Sequence, residues 1–151
     1  MTNPLRPILL VEDNPKDLEL SLAALARCKL ANPIEVARDG AEALDYLQGI
    51  GGWQGRESGD PAVVLLDLKL PKIDGLEVLE RIKTDTRLRH IPVVMLTSSR
   101  EERDLVTSYQ LGVNSFVVKP VDFTAFLEAI QELGMFWGVL NQPPPRGAAG
   151  A

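Results

Sequence analysis

Five residues of this 151-residue chain carry side chains suited to phosphate or metal chemistry and share one kind of position. Each stands where a short apolar run stops. Glu12 and Asp13 follow "ILLV", Asp67 follows "AVVLL", Thr97 follows "VVML" and Lys119 follows "SFVV". A single acidic or hydroxyl residue after a strand is ordinary loop chemistry. Four separate runs ending this way demand more: if they are strands of one parallel sheet, all five residues converge on one rim. Three carboxylates crowded there repel one another and persist only beside a compensating cation. All-oxygen donors select a hard divalent ion, Mg²⁺ first, which accepts few carboxylates and keeps several waters. Such an ion beside a carboxylate, a hydroxyl and an ammonium makes a place for a phosphoryl group. Asp67 is then the nucleophile that forms an aspartyl-phosphate, with Lys119 and the metal spreading charge over the phosphoryl oxygens.

Strands and helices must alternate to bring these residues together, and the sequence alternates. "PILLV" (7–11) reads as a short buried strand. In "NPKDLELSLAALARCKL", Leu18, Leu22, Leu25 and Ala26 share one helical face, Asn14 is the cap and Pro15 fits the first helical position. "IEVA" (34–37) is a second strand and "GAEALDYLQ" a second helix. The glycines and final proline of "GIGGWQGRESGDP" (49–61) favour an exposed loop, where Trp53 is a surface lid or a partner contact. Strand "AVVLLD", helix "LEVLERIKTD" (Leu76, Leu79 and Ile82 inward), strand "IPVVMLT" (91–97), helix "REERDLVTSYQLG" stopped by Gly112, strand "SFVVK" and helix "DFTAFLEAIQELGMFWGVL" capped by Asp122 complete the pattern. Five such alternations predict an α/β fold, a doubly wound parallel sheet with helices on both faces and right-handed crossovers. Ligands of such sheets sit beyond the carboxyl ends of the strands. Residues 1–140 are expected to form this domain, and residues 141–151, "NQPPPRGAAGA", a flexible tail.

Composition narrows the function further. With 45% hydrophobic residues, 25% charged residues and a net charge of −5, the chain lacks the basic footprint of a nucleic-acid binder. No apolar run approaches the roughly 20 residues of a membrane helix, and "MTNPLRP" lacks the apolar core of a signal peptide. The lone Cys28 excludes an internal disulfide and suits a reducing, cytoplasmic setting. A single histidine, His90, excludes metal sites and triads built on histidine. It lies far from any strand end, so a phosphoryl-donor histidine must come from another protein.

Four segments, "ILLVEDN", "VVLLDLKLPKIDGLEVL", "PVVMLTSS" and "GVNSFVVKPV", occur in the order and at the spacing of one family. Over roughly its first 135 residues the chain resembles the receiver domain of two-component response regulators. The resemblance implies a flavodoxin-like sheet of strand order 2-1-3-4-5. It implies Asp67 as phosphoacceptor, Glu12 and Asp13 as the acidic pair, and Mg²⁺ held by Asp13, Asp67 and the backbone carbonyl of Lys69. Thr97 and Lys119 would contact the phosphoryl group, Phe116 would be the switch aromatic, and the Lys119–Pro120 bond is expected to be cis. Asp74 and Gly75 would shape the turn into the third helix, and His90 would be an exposed loop residue. The implied partner is a sensor histidine kinase, docking on the first helix near Lys16 and Leu18 and on the loop after Lys119. Output is then a protein contact. "MFWGVL" gathers Met135, Phe136, Trp137, Val139 and Leu140, more apolar surface than a core needs, so a homodimer through this C-terminal face is expected. That ending and the long loop after the second helix resemble regulators paired with phytochrome-type kinases.

Three rivals are weaker. A phosphatase of the haloacid dehalogenase type also uses a strand-end aspartate, but needs a second Asp two residues on, where Lys69 stands. The chain is therefore expected to be a phosphoacceptor rather than an enzyme, losing its phosphoryl group slowly past Lys69 and Ser99. A flavodoxin-like cofactor module needs a hydroxyl- and Gly-rich loop after the first strand, and "VEDNPKD" would repel a phosphate lacking metal. An unphosphorylated scaffold receiver would be expected to have lost a site residue, and none is missing.

Overall fold

The computed structural model describes residues 6–27, 32–51, 60–98, 100–108, 113, 115–119 and 121–132. Cys28, Trp53, Ser99, Gly112, Pro120 and residues 133–151 lie outside them, and with them the expected surface lid, fourth-helix stop, cis bond, apolar C-terminal face and tail.

Strand and helix alternate as β1 (Ile8–Val11), α1 (Pro15–Arg27), β2 (Ile34–Ala37), α2 (Gly40–Gln48), β3 (Val63–Asp67), α3 (Gly75–Thr84), β4 (Val93–Thr97), α4 (Arg100–Ser108), β5 (Ser115–Val118) and α5 (Phe123–Glu132). The five strands pair in parallel in the order β2-β1-β3-β4-β5. Every residue of β1, β3 and β4 is buried, which is why these strands read as unbroken apolar runs. Edge strand β2 is half-buried over most of its length. The chain leaves β1 for β2 on one side and returns to β3 on the other, so the crevice where strand order reverses opens between the ends of β1 and β3.

Side chains alternate across each strand and divide the core in two. Leu9, Val11, Val64, Leu66 and Met95 face Leu44 and Leu47 of α2, Val78, Leu79 and Ile82 of α3 and Val106 of α4. Ile8, Leu10, Val63, Leu65, Val94 and Leu96 face Leu18 and Leu25 of α1 and Phe126 of α5. The same alternation sorts the rim. Glu12, Asp67 and Lys119 continue the rows that face α1 and α5, whereas Thr97 and Phe116 continue those that face α4.

Three details depart from expectation. On α1 the buried residues are Leu18, Ser21, Ala24 and Leu25, while Ala26 is exposed, because the helical face runs through positions three and four apart rather than through Ala26. Leu18 is core rather than free surface; Pro15, Lys16, Glu19 and Leu20 are the exposed residues around it. Strand β4 starts at Val93 rather than Ile91, since Pro92 has no N–H to give the ladder and contributes only its carbonyl, to Val64 N at 2.9 Å.

Candidate functional site

Each strand end is fixed by local chemistry before any ligand is considered. After β1, the Asn14 side chain accepts from the amides of Lys16 (2.9 Å) and Asp17 (3.0 Å), starting α1 at Pro15 and pinning Asp13 in the short connection. After β3, Gly75 N donates to Leu68 O at 2.8 Å and Asp74 caps α3 by accepting from Glu77 N at 2.9 Å. A side chain at Gly75 would overlap the carbonyl oxygen of Asp67. Only glycine lets α3 begin so close under the end of β3. Asp122 accepts from Ala125 N at 2.7 Å and starts α5 as expected.

These connections deliver Glu12, Asp13 and Asp67 to one place: an oxygen from each lies within 4.8 Å of the others. Glu12 is fully buried, Asp67 almost so, and Asp13 is exposed. Lys119 enters from β5, held by its own amide donating to Thr97 O at 2.8 Å. Its ammonium lies 3.2 Å from Glu12, 3.1 Å from Asp67 and 2.9 Å from Asp17. Thr97 is buried on the adjoining strand, and its Oγ1 has no hydrogen-bond partner among the described residues. Lys69 turns its backbone N–H toward Asp67 Oδ1 at 3.3 Å and its ammonium away, to Glu102 at 3.1 Å. Phe116 is half-buried and packs against the cluster that includes Val106 of α4.

The electrostatics are those of an anionic pocket with too few cations. Burial pushes the Glu12 carboxyl up; a hydrogen bond with Asp67 and the charge of Asp67 add to it, and Lys119 and the Asn14 amide only partly oppose it, leaving the group at about 7. Burial alone would lower the Lys119 ammonium. Hydrogen bonds to Asp17 and Asp67 and the charges of Asp67 and Glu12 outweigh burial and hold it above its ordinary value. One lysine therefore answers three carboxylates, and a proton or a cation must answer the rest. The donors are all oxygen, two of them buried, beside an unused hydroxyl, so the residues present fit a hard divalent ion.

Every residue expected at the site is thus at one rim except Phe116, which sits one layer back. Two further residues join them that the sequence reading does not anticipate. Asp17 grips Lys119 from the first turn of α1, and Glu102 grips Lys69 from the first turn of α4. The second has a partial signal: "SREE" has the Ser-x-x-Glu spacing that turns a glutamate back over a helix start, although the amide Glu102 takes is that of Ser98, one residue earlier than a capping box uses. Asp74 and Gly75 shape the turn as expected, and His90 is exposed, with Nε2 3.2 Å from Asp60. A cleft of about 520 Å³ opens beside the rim between Leu68, Leu70, Pro71, Leu76 and Leu105.

Comparison with known proteins agrees with this geometry. A family model, the response regulator receiver domain, matches residues 8–131. The probable methanogenesis regulatory protein FilR2 of Methanothrix harundinacea is 45% identical over 137 residues, 91% of this chain and 86% of that protein. Among solved structures, the bacteriophytochrome response regulator AtBRR is 70% identical with a TM-score of 0.87, covering 91% of this chain and 99% of that one. The response regulator Rcp1 of Synechocystis is 39% identical over 136 residues, 90% of this chain and 91% of that protein. Its Mn²⁺-bound structure matches with a TM-score of 0.70 over 87% of this chain and 94% of that one. None of the described helices is long and apolar enough to cross a membrane. The strand order, the acidic rim and the family match together make this chain a member of the response regulator receiver family, the phosphoacceptor side of two-component phosphorelays.

Proposed function

We propose that the protein accepts a phosphoryl group on Asp67 from a histidine kinase of phytochrome type and responds by changing the face formed by α4, β5 and α5. The observation that carries this reading is the convergence of Glu12, Asp13 and Asp67 with Lys119 at 3.1 Å from the acceptor. An Asp67 oxygen forms the new O–P bond while the donor's P–N bond breaks. The electron pair passes to the imidazole nitrogen, and a ring already protonated on its other nitrogen leaves neutral. The site's own groups are placed for this step. Asp13, Asp67 and the Lys69 carbonyl would hold Mg²⁺, with Glu12 beside them, and the ion when bound supplies charge neutralisation at the phosphoryl oxygens. Lys119 already lies against the acceptor. Thr97 brings a buried hydroxyl without a partner among the described residues, free to donate to a phosphoryl oxygen. Its inward movement would leave space for Phe116, which continues the same face of the sheet, and a population shift would follow.

The phytochrome pairing rests on the 70% identity to a bacteriophytochrome regulator, and the cytoplasmic setting on the lone Cys28, which suits a reducing compartment. The homodimer reading rests on the apolar "MFWGVL" alone, and light scattering that finds a monomer at tens of micromolar would remove it. Chemistry is tested by incubation with acetyl phosphate and Mg²⁺. A receiver accumulates one acid-stable, base-labile adduct that Asp67→Asn abolishes. Turnover without accumulation would mark a phosphatase, and no adduct an inert scaffold.

A further inference from the structure

Two of the contacts that Glu102 makes bear on the phosphoryl site without belonging to its acidic cluster. Its Oε1 accepts from the Ser98 amide at 2.7 Å, and its Oε2 lies 3.1 Å from Lys69 Nζ. Ser98 directly follows Thr97, and Lys69 stands two residues after Asp67. One carboxylate thus ties together the two strand ends that flank the acceptor. The Glu102 side chain is 14% exposed and that of Lys69 81%, so the carboxylate is held against the protein while the ammonium reaches it from the solvent side.

The Ser98 amide is not where regular pairing would leave it. Leu68 N donates to Leu96 O at 3.1 Å, and the next rung of a parallel ladder would send Ser98 N to Leu68 O. That carbonyl accepts from Gly75 N instead, at 2.8 Å. The early start of α3 therefore ends the ladder and leaves an N–H at the rim, beside Thr97, where oxygens of a group on Asp67 need donors. Helix capping accounts for a glutamate in the first turn of α4. Capping alone does not account for a carboxylate that also takes the ammonium two residues beyond the acceptor.

We propose that Glu102 is a positioning residue, an internal anion that occupies the Ser98 amide and the Lys69 ammonium at rest and competes with the phosphoryl group for both. The inference rests on the reading of Asp67 as phosphoacceptor. Removing the carboxylate frees two donors and takes a negative charge away from an incoming anion. Both effects have the same sign: the phosphorylated form gains.

The test is equilibrium titration of the Mg²⁺-loaded protein with beryllofluoride, a phosphoryl mimic that transfers nothing, followed by calorimetry. Glu102→Ala should bind the mimic about threefold to tenfold tighter than the parent, the range of one hydrogen-bond competitor removed. Glu102→Gln keeps a neutral acceptor for Ser98 and should gain less; it also covers the case in which the alanine variant does not fold. A residue that only caps α4 would lower the unfolding midpoint of both variants and leave mimic affinity unchanged or weaker, and that result overturns the proposal. A parent protein that binds no mimic at all overturns the phosphoacceptor reading, and the competition falls with it.

Discussion

Lys119 Nζ lies 3.1 Å from Asp67 Oδ2 although 52 positions separate the two residues. The contact is a product of topology: β3 and β5 are not neighbours, and β4 lies between them. Lys119 reaches across its end because its side chain shares the α1-facing side of the sheet with Asp67 and Glu12. There it also meets Asp17. A cation held by three carboxylates is positioned before any phosphoryl group arrives, which lowers the reorganisation required when one does.

Removing that cation should expose the cluster's repulsion. Lys119→Met is expected to destabilise the metal-free protein by about 3 kcal/mol, the cost of leaving buried charges without a partner. Millimolar Mg²⁺ should restore part of the loss. Urea unfolding with chelator and with Mg²⁺ measures both.

Glu12 sets a pH dependence of unusual sign. Its carboxyl is raised from 4.5 to about 7 in the folded protein, so between those values the folded state binds more protons than the unfolded one. The contribution is fully present below about pH 4.5 and is lost as pH rises through about 7. Metal-free protein should therefore be more stable at about pH 5.5 than at about pH 8, and Glu12→Gln should flatten that difference. Asp39 and Glu102, both lowered, act oppositely, but only as pH falls below their ordinary range.

Two glycines should behave differently when replaced. Gly75→Ala pushes a methyl into the Asp67 carbonyl and is expected to cost about 2 kcal/mol or more and to weaken divalent binding, since α3 and the acceptor cannot both keep their places. Gly49 has φ 69°, and a methyl group there would meet nothing within 4 Å. Gly49→Ala should therefore cost about 1 kcal/mol, from backbone strain alone, and leave metal affinity unchanged. Thermal unfolding and Mn²⁺ titration of both variants separate the effects.

Asp17→Ala should leave Lys119 shared by Glu12 and Asp67 alone. Lys119 then competes more strongly for Asp67 and one anionic charge is gone, so Mg²⁺ affinity is expected to fall by about threefold to tenfold, the scale of one ordinary hydrogen bond. Unchanged affinity by calorimetry would make Asp17 an ordinary first-turn helix residue.

Much of this is legible in the residues alone. The three central strands are buried on both faces, so their apolar runs announce a parallel sheet, and the polar residue ending each run marks the rim. Asn14, Asp74 and Asp122 declare three helix starts through their capping chemistry. What stays hidden depends on which faces meet. Asp17 reads as a first-turn acid until β5 brings Lys119 to it, and Glu102 reads as a cap until the β3 end brings Lys69. The face of α1 is misjudged at Ala26 because two small residues, Ser21 and Ala24, fill positions that a search for large apolar residues passes over. Leu18 is legible as a core residue from its spacing with Leu22 and Leu25, and it packs in the core as that spacing says.

The most direct test asks which residue carries the phosphoryl group. Protein phosphorylated with acetyl phosphate and Mg²⁺ is reduced with borohydride, which converts an aspartyl-phosphate to homoserine, and the peptides are sequenced by mass spectrometry. Homoserine at position 67 and nowhere else is the expected result; homoserine at another aspartate, or none in protein that has taken up phosphate, would contradict the assignment of the site.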